Sequence, residues 1–223
     1  MSGTLYIVAT PIGNLEDLTL RAKRILETVD GIACEDTRHS VILLNHYGIK
    51  KPLISFHSFS GVTKVEKIVD SLLQGQNIAL ISDAGTPGIS DPAYVLIQAA
   101  LEKRISIVPI PGASAVITAL CASGLPTDKF VYLGFLPIKK GRQTLFKEIA
   151  LSPYTVIFYE SPHRLVRTLS ELGQHLKPDT KIVVAKELTK MFETFFRGTL
   201  ADITQKLPAG NPKGEYVVMV KPS

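Results

Sequence analysis

The 223-residue sequence has no tryptophan and only two cysteines. Cys34 and Cys121 lie in the apolar segments "GIACED" and "TALCASG", with neither a CxxC partner nor a nearby histidine pair. That spacing excludes a zinc site and a dithiol redox motif, and no metal ligand set is expected. Both cysteines read as small buried hydrophobes. No apolar run approaches the ~20 residues that a membrane-spanning helix needs, so no membrane partner is expected. The opening "MSGTLYIVATPIGN" lacks a basic leader, and Pro11 ends its apolar run early. A secretory signal is therefore not read, and a cytoplasmic location is expected. Low-complexity tracts, internal repeats and long charge blocks are also missing.

Two familiar nucleotide loops are missing as well. "SDAGTPGISDP" (82–92) follows the apolar run "NIALI" and precedes the helical pattern "AYVLIQAALEKR". It is a strand-to-helix loop, yet no lysine follows Gly88, and Thr and Pro separate Gly85 from Gly88. It is thus neither a P-loop nor a dinucleotide-binding turn. Its local reading is a tight turn with Asp91 as N-cap and Pro92 as first helical residue.

What is present is ordinary for a globular protein: 45% apolar and 20% charged residues. The length suits one large domain or two small ones. Such a chain can bury on the order of 70% of its unfolded surface. The net charge of +5 tilts towards an anionic partner such as RNA without deciding it. Cations cluster in "KRISI", "PIKKGRQ" and "SPHRLVR".

Apolar runs alternate with helical patterns from the first residues. "TLYIVAT", "GIACE", "PLISF", "NIALI" and "ISIVPIPG" read as strands, and Ala22, Ile25, Leu26 and Val29 mark an amphipathic helix. Continuously apolar strands between helices predict a mostly parallel sheet covered on both faces. After "GLPTDK" the pattern changes. "FVYLGFL", "TVIFYE", "KIVVAKEL", "ETFFRGTL" and "EYVVMV" read as strands, with "RQTLFKEIA" and "HRLVRTLSELGQHL" as helices. The short break before "ETFFRGTL" predicts antiparallel pairing with "KIVVAKEL". The expected fold is two α/β domains, residues 1–117 with a mostly parallel sheet and 118–223 with a mixed sheet. The default ligand site is a cleft between them.

Four strand-end segments carry unusual composition: "VATPIGNLED", "CEDTRHS", the 82–92 loop and "PIPGASAV". Carboxyl-end loops of an open parallel sheet gather on one edge, where ligands bind. Helix N-termini at Asp91 and Ala113 would favour a carboxylate there, while Asp83 would meet an amine, hydroxyl or cation. In the second half, Ser161 and Pro162 read as N-cap and first helical residue. That puts His163 and Arg164 in the first turn and turns Glu160 towards the cleft. Lys186, Glu187, Lys190 and Glu193 have the composition of solvent-screened pairs.

In order, "LYIVATPIGNLEDLTLRA", "EDTRHS", "LISDAGTPGISDP", "PIPGASAVITAL", "GFLPIKKGR", "FYESPHR" and "KELTK" resemble the tetrapyrrole-methylase (class III) superfamily. The combination "ATPIGN", "EDTR", "SDAGTP" and "YESPHR" is similar to its branch of bacterial small-subunit ribosomal RNA 2′-O-methyltransferases. These act on a cytidine ribose in the decoding region. The resemblance covers essentially the whole chain. It implies a homodimer that uses S-adenosylmethionine and acts on small-subunit ribosomal RNA in an assembled subunit. By position it implies cofactor contacts at Pro11, Ile12, Asp83, Gly85, Thr86, Pro87, Ser114, Ala115, Tyr159 and Ala185. Some members continue into a basic helical extension, whereas this sequence stops at "VKPS".

A ribose hydroxyl is a poor nucleophile at neutral pH, so a base or cation should assist it. The catalytic candidates are Glu35, Asp36, Arg38, Glu160, Arg164, Lys186 and Glu187, with no single base distinguished. Arg38 and Arg164 suit phosphate or acceptor positioning, because guanidinium forks match phosphate. Two other readings compete: methylation of a small molecule such as a tetrapyrrole precursor, and a nucleotide-binding dimer without turnover.

Overall fold

The computed structural model of the chain describes residues 2–56, 62–207 and 213–222. It divides into two compact units, Met1–Ser114 and Ala115–Ser223. Sequence reading drew the line after residue 117. The division falls earlier because the helix Ala115–Cys121 packs with the last strand of the second unit.

The first unit holds β1 (Thr4–Val8), β2 (Gly31–Cys34), β3 (Leu53–Ser55), β4 (Ile78–Ile81) and β5 (Ser106–Ile110). Their order is β3-β2-β4-β1-β5, and every pairing is parallel. Helices α1 (Leu20–Thr28), α2 (Thr37–His46), α3 (Val62–Leu73) and α4 (Ala93–Glu102) connect them. β2 and β4 are buried at every position, which their unbroken apolar sequences require of strands covered on both faces. One core cluster joins Leu5 and Leu80 to Ile68, Leu72 and Leu96 from α3 and α4. The other joins Val8, Ile32 and Ile110 to Leu26 and Leu44 from α1 and α2. Because the strands are parallel, the loops after β1, β2, β4 and β5 all leave from one edge.

The second unit holds α5 (Ala115–Cys121), β6 (Phe130–Phe135), α6 (Arg142–Leu151), β7 (Thr155–Glu160) and α7 (Leu165–Gly173). It continues through β8 (Lys181–Lys186), β9 (Thr194–Gly198), α8 (Leu200–Lys206) and β10 (Tyr216–Lys221). The sheet order is β6-β7-β10-β8-β9. β6 and β7 run parallel, β10 runs antiparallel to both β7 and β8, and β8 and β9 are antiparallel as expected. Phe146, Phe158, Leu169, Leu172, Val184, Ile203 and Val218 build its core.

Several local expectations are corrected. α4 starts at Ala93 with Pro92 in the cap position. The Asp91 carboxylate instead accepts the N–H groups of Gly88 and Ala93, closing the loop upon itself. α7 starts at Leu165, not at Pro162, because Ser161–Arg164 form a turn in which the Ser161 carbonyl accepts from Arg164 and Leu165. "ETFFRGTL" does not stay extended: β9 ends at Gly198, and Thr199 and Asp202 form a reciprocal capping box that starts α8. Cys34 is buried as expected, but Cys121 is exposed.

Candidate functional site

The edge formed by the β1, β4 and β5 loops is stitched by main-chain and hydroxyl bonds. Thr10 and Gly85 exchange N–H···O bonds of 2.9 and 3.0 Å. The Thr10 hydroxyl donates to the Ser82 carbonyl at 3.1 Å, and the Thr86 hydroxyl to the Ala113 carbonyl at 3.1 Å. Pro11, Gly85 and Pro87 are buried, Ile12, Thr86 and Ser114 half-buried, and Asp83 and Ala84 exposed. The structure thus brings together Pro11, Ile12, Asp83, Gly85, Thr86, Pro87 and Ser114, all on the first unit.

The glycines of this rim have a conformational reason of their own. Gly85 and Gly88 have φ of +80° and +90°, where a side chain is strained. Gly112 lies against β1 so closely that a Cβ would sit 2.9 Å from the Ala9 Cβ. The scarcity of side chains here therefore serves the turn as well as any ligand.

Beside the rim, the carboxyl end of β2 carries an acidic group. The Asp36 N–H donates to Asp83 Oδ1 at 3.1 Å, tying the β2 loop to the β4 loop. Asp36 caps α2, accepting the Arg38 N–H at 2.8 Å, and Arg38 Nη2 lies 2.7 Å from its Oδ2. These Arg38 bonds hold the Asp36 carboxyl down at about 2. Glu35 differs. Burial first, then the neighbouring charges of Asp83, Asp91 and Asp36, push its carboxyl above the usual range. Glu35 lines a small depression with Phe56, Ser82, Asp91 and Ala93. Arg38 is exposed, and His39 Nδ1 lies 3.8 Å from Asp83 Oδ2.

In the second unit the expected acids Glu160 and Glu187 are both held by neighbouring groups. Glu160, expected to face a cleft, is 1% exposed. Its oxygens accept from the Ser161 N–H (2.7 Å), the Thr168 hydroxyl (2.6 Å) and Arg164 Nη2 (2.7 Å). Thr168 in turn accepts from Arg142, whose Nε meets Glu171 at 2.7 Å. Glu160 is thereby buried and held by three donors. Glu160→Gln keeps the shape and loses the charge facing Arg164, so unfolding free energy should fall by about 1.5–3 kcal/mol. Denaturant titration checks this, and an unchanged midpoint would mean that the pair contributes nothing net.

Glu187 forms a corner after β8 with φ of +52°. Burial opposes its charge, but Lys190 and the Glu215 N–H outweigh that, so its carboxyl titrates below the usual range. Lys186, at the end of β8, is half-buried. Tyr159 and Ala185 flank Val217 of β10 in register. Ala185 is 0% exposed, so its side chain meets only protein. The Tyr159 ring stands edge-on to Tyr132 and Phe135, and its hydroxyl pKa is raised, mainly by burial. Ala115, half-buried, is the first residue of α5. Sequence reading passed over Phe135, which is exposed; the Gly134 beside it was the available signal.

The chain matches the family model described as Tetrapyrrole (Corrin/Porphyrin) Methylases over residues 4–204. It is 49% identical to "Ribosomal RNA small subunit methyltransferase I" of Pasteurella multocida, over 99% of this chain and 80% of that protein. The protein of the same name from Hydrogenobaculum sp. is 46% identical, over 97% of this chain and 94% of its own length. The methyltransferase CobJ superposes with a TM-score of 0.73 at 17% identity, covering 100% of this chain and 95% of that one. Uroporphyrin-III C-methyltransferase from Thermus thermophilus, complexed with S-adenosyl homocysteine, gives 0.66 at 16% identity, with 97% of each chain covered. The chain therefore belongs to the tetrapyrrole methylase family, on the branch of the ribosomal RNA small subunit methyltransferases I.

Proposed function

We propose that the chain methylates small-subunit ribosomal RNA from S-adenosylmethionine, at the ribose 2′-hydroxyl of a cytidine in the decoding region. What supports the acceptor is the near-complete match to relatives named as ribosomal RNA small subunit methyltransferases. What supports the cofactor is the stitched rim of the first sheet, which carries the observation on which this reading stands. There an exposed carboxylate, Asp83, and the exposed, small Ala84 sit on the β4 loop, and the exposed Pro111 and Gly112 on the β5 loop. Those groups fit a nucleoside with a cationic tail: the carboxylate answers the positive end or a ribose hydroxyl, and small residues leave room for a flat base. Pro11, Ile12, Thr86, Pro87 and Ser114 would complete the cradle on the first unit.

When bound, S-adenosylmethionine supplies a methyl group already activated on a cationic sulfur, so the protein's remaining work is alignment and proton removal. Among the proposed bases, Asp36 is tied to Arg38, Glu160 is buried and held by three donors, and Glu187 is held by Lys190 and Glu215. Glu35 is left to take the proton of the acceptor hydroxyl. Arg38, braced by Asp36 and otherwise exposed, holds an RNA phosphate. Arg164 acts through the fold by clamping Glu160, while Lys186 adds positive charge at the end of β8. We place the protein in the cytoplasm as a homodimer acting on an assembled subunit. Exposed Tyr94, Val95 and Leu101 on α4 offer apolar surface for a second copy.

The test is a map of 2′-O-methyl groups on small-subunit RNA from cells with and without this protein. One cytidine methyl should vanish with the protein and return on treating purified subunits with the protein and cofactor. An unchanged map would overturn the proposal.

A further inference from the structure

On the reading that the acceptor is RNA, we infer that the edge of the second sheet from Phe135 to Lys140 is a docking surface for single-stranded ribosomal RNA. A base stacks on Phe135, and phosphates lie against Lys139 and Lys140. β6 is an outer strand of its sheet. Its register with β7 breaks between Tyr132 and Phe135, where Gly134 adopts φ of +64°. Such bulges re-aim side chains. Beyond this one lies Phe135, 57% exposed although it belongs to a strand. Its ring is braced edge-on by Tyr159, with centroids 5.4 Å apart, and Tyr159 is braced by Tyr132 at 5.2 Å. A ring fixed in orientation by an edge-on aromatic neighbour, itself braced by a second, offers its face for a flat partner to stack on.

The segment that follows is held rigid from beneath. Arg142, 5% exposed, donates to the Pro137 carbonyl at 3.0 Å, and Arg164 donates to the Leu136 carbonyl at 3.3 Å. These two guanidinium groups are occupied by protein carbonyls and by Glu171 and Glu160. Ile138, Lys139 and Lys140 are left exposed on a clamped loop. From Lys129 to Lys147 the chain has Lys129, Lys139, Lys140 and Lys147, besides the buried and paired Arg142, and no acidic residue. That charge favours a polyanion over a second copy, which would bring the same cations to the same place. An aromatic platform next to a row of cations is how single strands are held without sequence readout: stacking supplies affinity, and the cations track the backbone.

The experiment uses the full chain, fluorescently labelled, and small subunits from cells lacking it. Binding is titrated across salt concentrations, with S-adenosylhomocysteine calorimetry, thermal melting and sedimentation run on every variant. Replacing both lysines (Lys139→Ala with Lys140→Ala) should reduce the slope of log affinity against log salt by about 1.4, at ~0.7 per phosphate contact. Phe135→Ala should weaken binding by about 5- to 150-fold at every salt concentration with the slope unchanged. Phe135→Trp should restore it. S-adenosylhomocysteine affinity should stay at the wild-type value in all of them. Wild-type affinity and slope in both alanine variants would overturn the inference while leaving the RNA acceptor standing. So would dissociation of a dimer by Phe135→Ala, which would assign the surface to a second copy. If the unaltered protein neither binds nor methylates subunits, the acceptor reading fails and the docking surface falls with it.

Discussion

Glu35→Gln is expected to slow methyl transfer to small-subunit RNA by about 10²–10⁴-fold, the range for removing a positioned general base. S-adenosylhomocysteine should still bind, because the cradle proposed for it lies on the β1, β4 and β5 loops, while Glu35 lies in the loop after β2. The choice rests on elimination among carboxylates. A group held near 2, as Asp36 is by Arg38, has too little proton affinity to draw a proton from a ribose hydroxyl. Burial and the facing charges of Asp83, Asp91 and Asp36 give Glu35 more. A base works in its deprotonated form, so kcat/KM should rise with pH through the raised Glu35 pKa and then level. In Glu35→Gln that limb should vanish. The same shift links to stability with the opposite sense. A carboxyl whose pKa is raised by folding stabilises the fold at low pH, and that contribution is lost as pH climbs through the folded-state value. The Gln variant should therefore lose less stability than wild type between acid and neutral pH. Partial exposure keeps this to about 1 kcal/mol or less. Single-turnover rates against pH decide the matter: a retained limb with a wild-type rate would remove Glu35 from the chemistry.

The first sheet was largely legible in the sequence because its cause is local. Runs such as "NIALI" and "GIAC" are apolar without alternation, and only strands buried on both faces tolerate that. The edge that gathers the loops follows from parallel order alone. Boundaries were less legible where two capping schemes compete. Asp91 can cap a helix or close its own loop, and the Gly88 N–H drew it into the second role. The start of α8 was written in "TLAD" as a capping box, but the apolar run ahead of it reads as strand. Glu160 could not be placed from sequence, since its burial depends on Thr168 and Arg164 folding back over it and on Arg142, which holds Thr168. The tie between Asp36 and Arg38 is a two-residue contact, and it could have been foreseen from "DTR" at a helix start. Phe135 lay hidden because "FVYLGFL" counts as an apolar strand until Gly134 takes a left-handed conformation.

Ala84→Phe should abolish cofactor binding, with methyl transfer reduced by more than about 10³-fold, while the protein melts as wild type does. A variant at Gly85 or Gly112 could not separate ligand from fold. Gly85 needs its positive φ, and a side chain at Gly112 would strike Ala9. Ala84 is free of both constraints: it is exposed, and it is not among the residues with positive φ. Its side chain is already an ordinary L-residue's, and adding a ring to an exposed position away from special backbone changes stability by no more than about 0.5 kcal/mol. Such a ring would stand where a ligand lying on the rim between Asp83 and Gly85 would be. A phenyl group there would fill the space of a bound base or ribose and cover the Asp83 carboxylate. Calorimetry with S-adenosylhomocysteine reads the effect directly, and Ala84→Ser, which adds a single oxygen, should bind within about tenfold of wild type, a difference of about 1.4 kcal/mol. If Ala84→Phe binds as the wild type does, no nucleoside lies on this rim. The leanness of "SDAGTPG" would then belong wholly to the turn: to the Thr10–Gly85 bridge and to the φ values of Gly85 and Gly88.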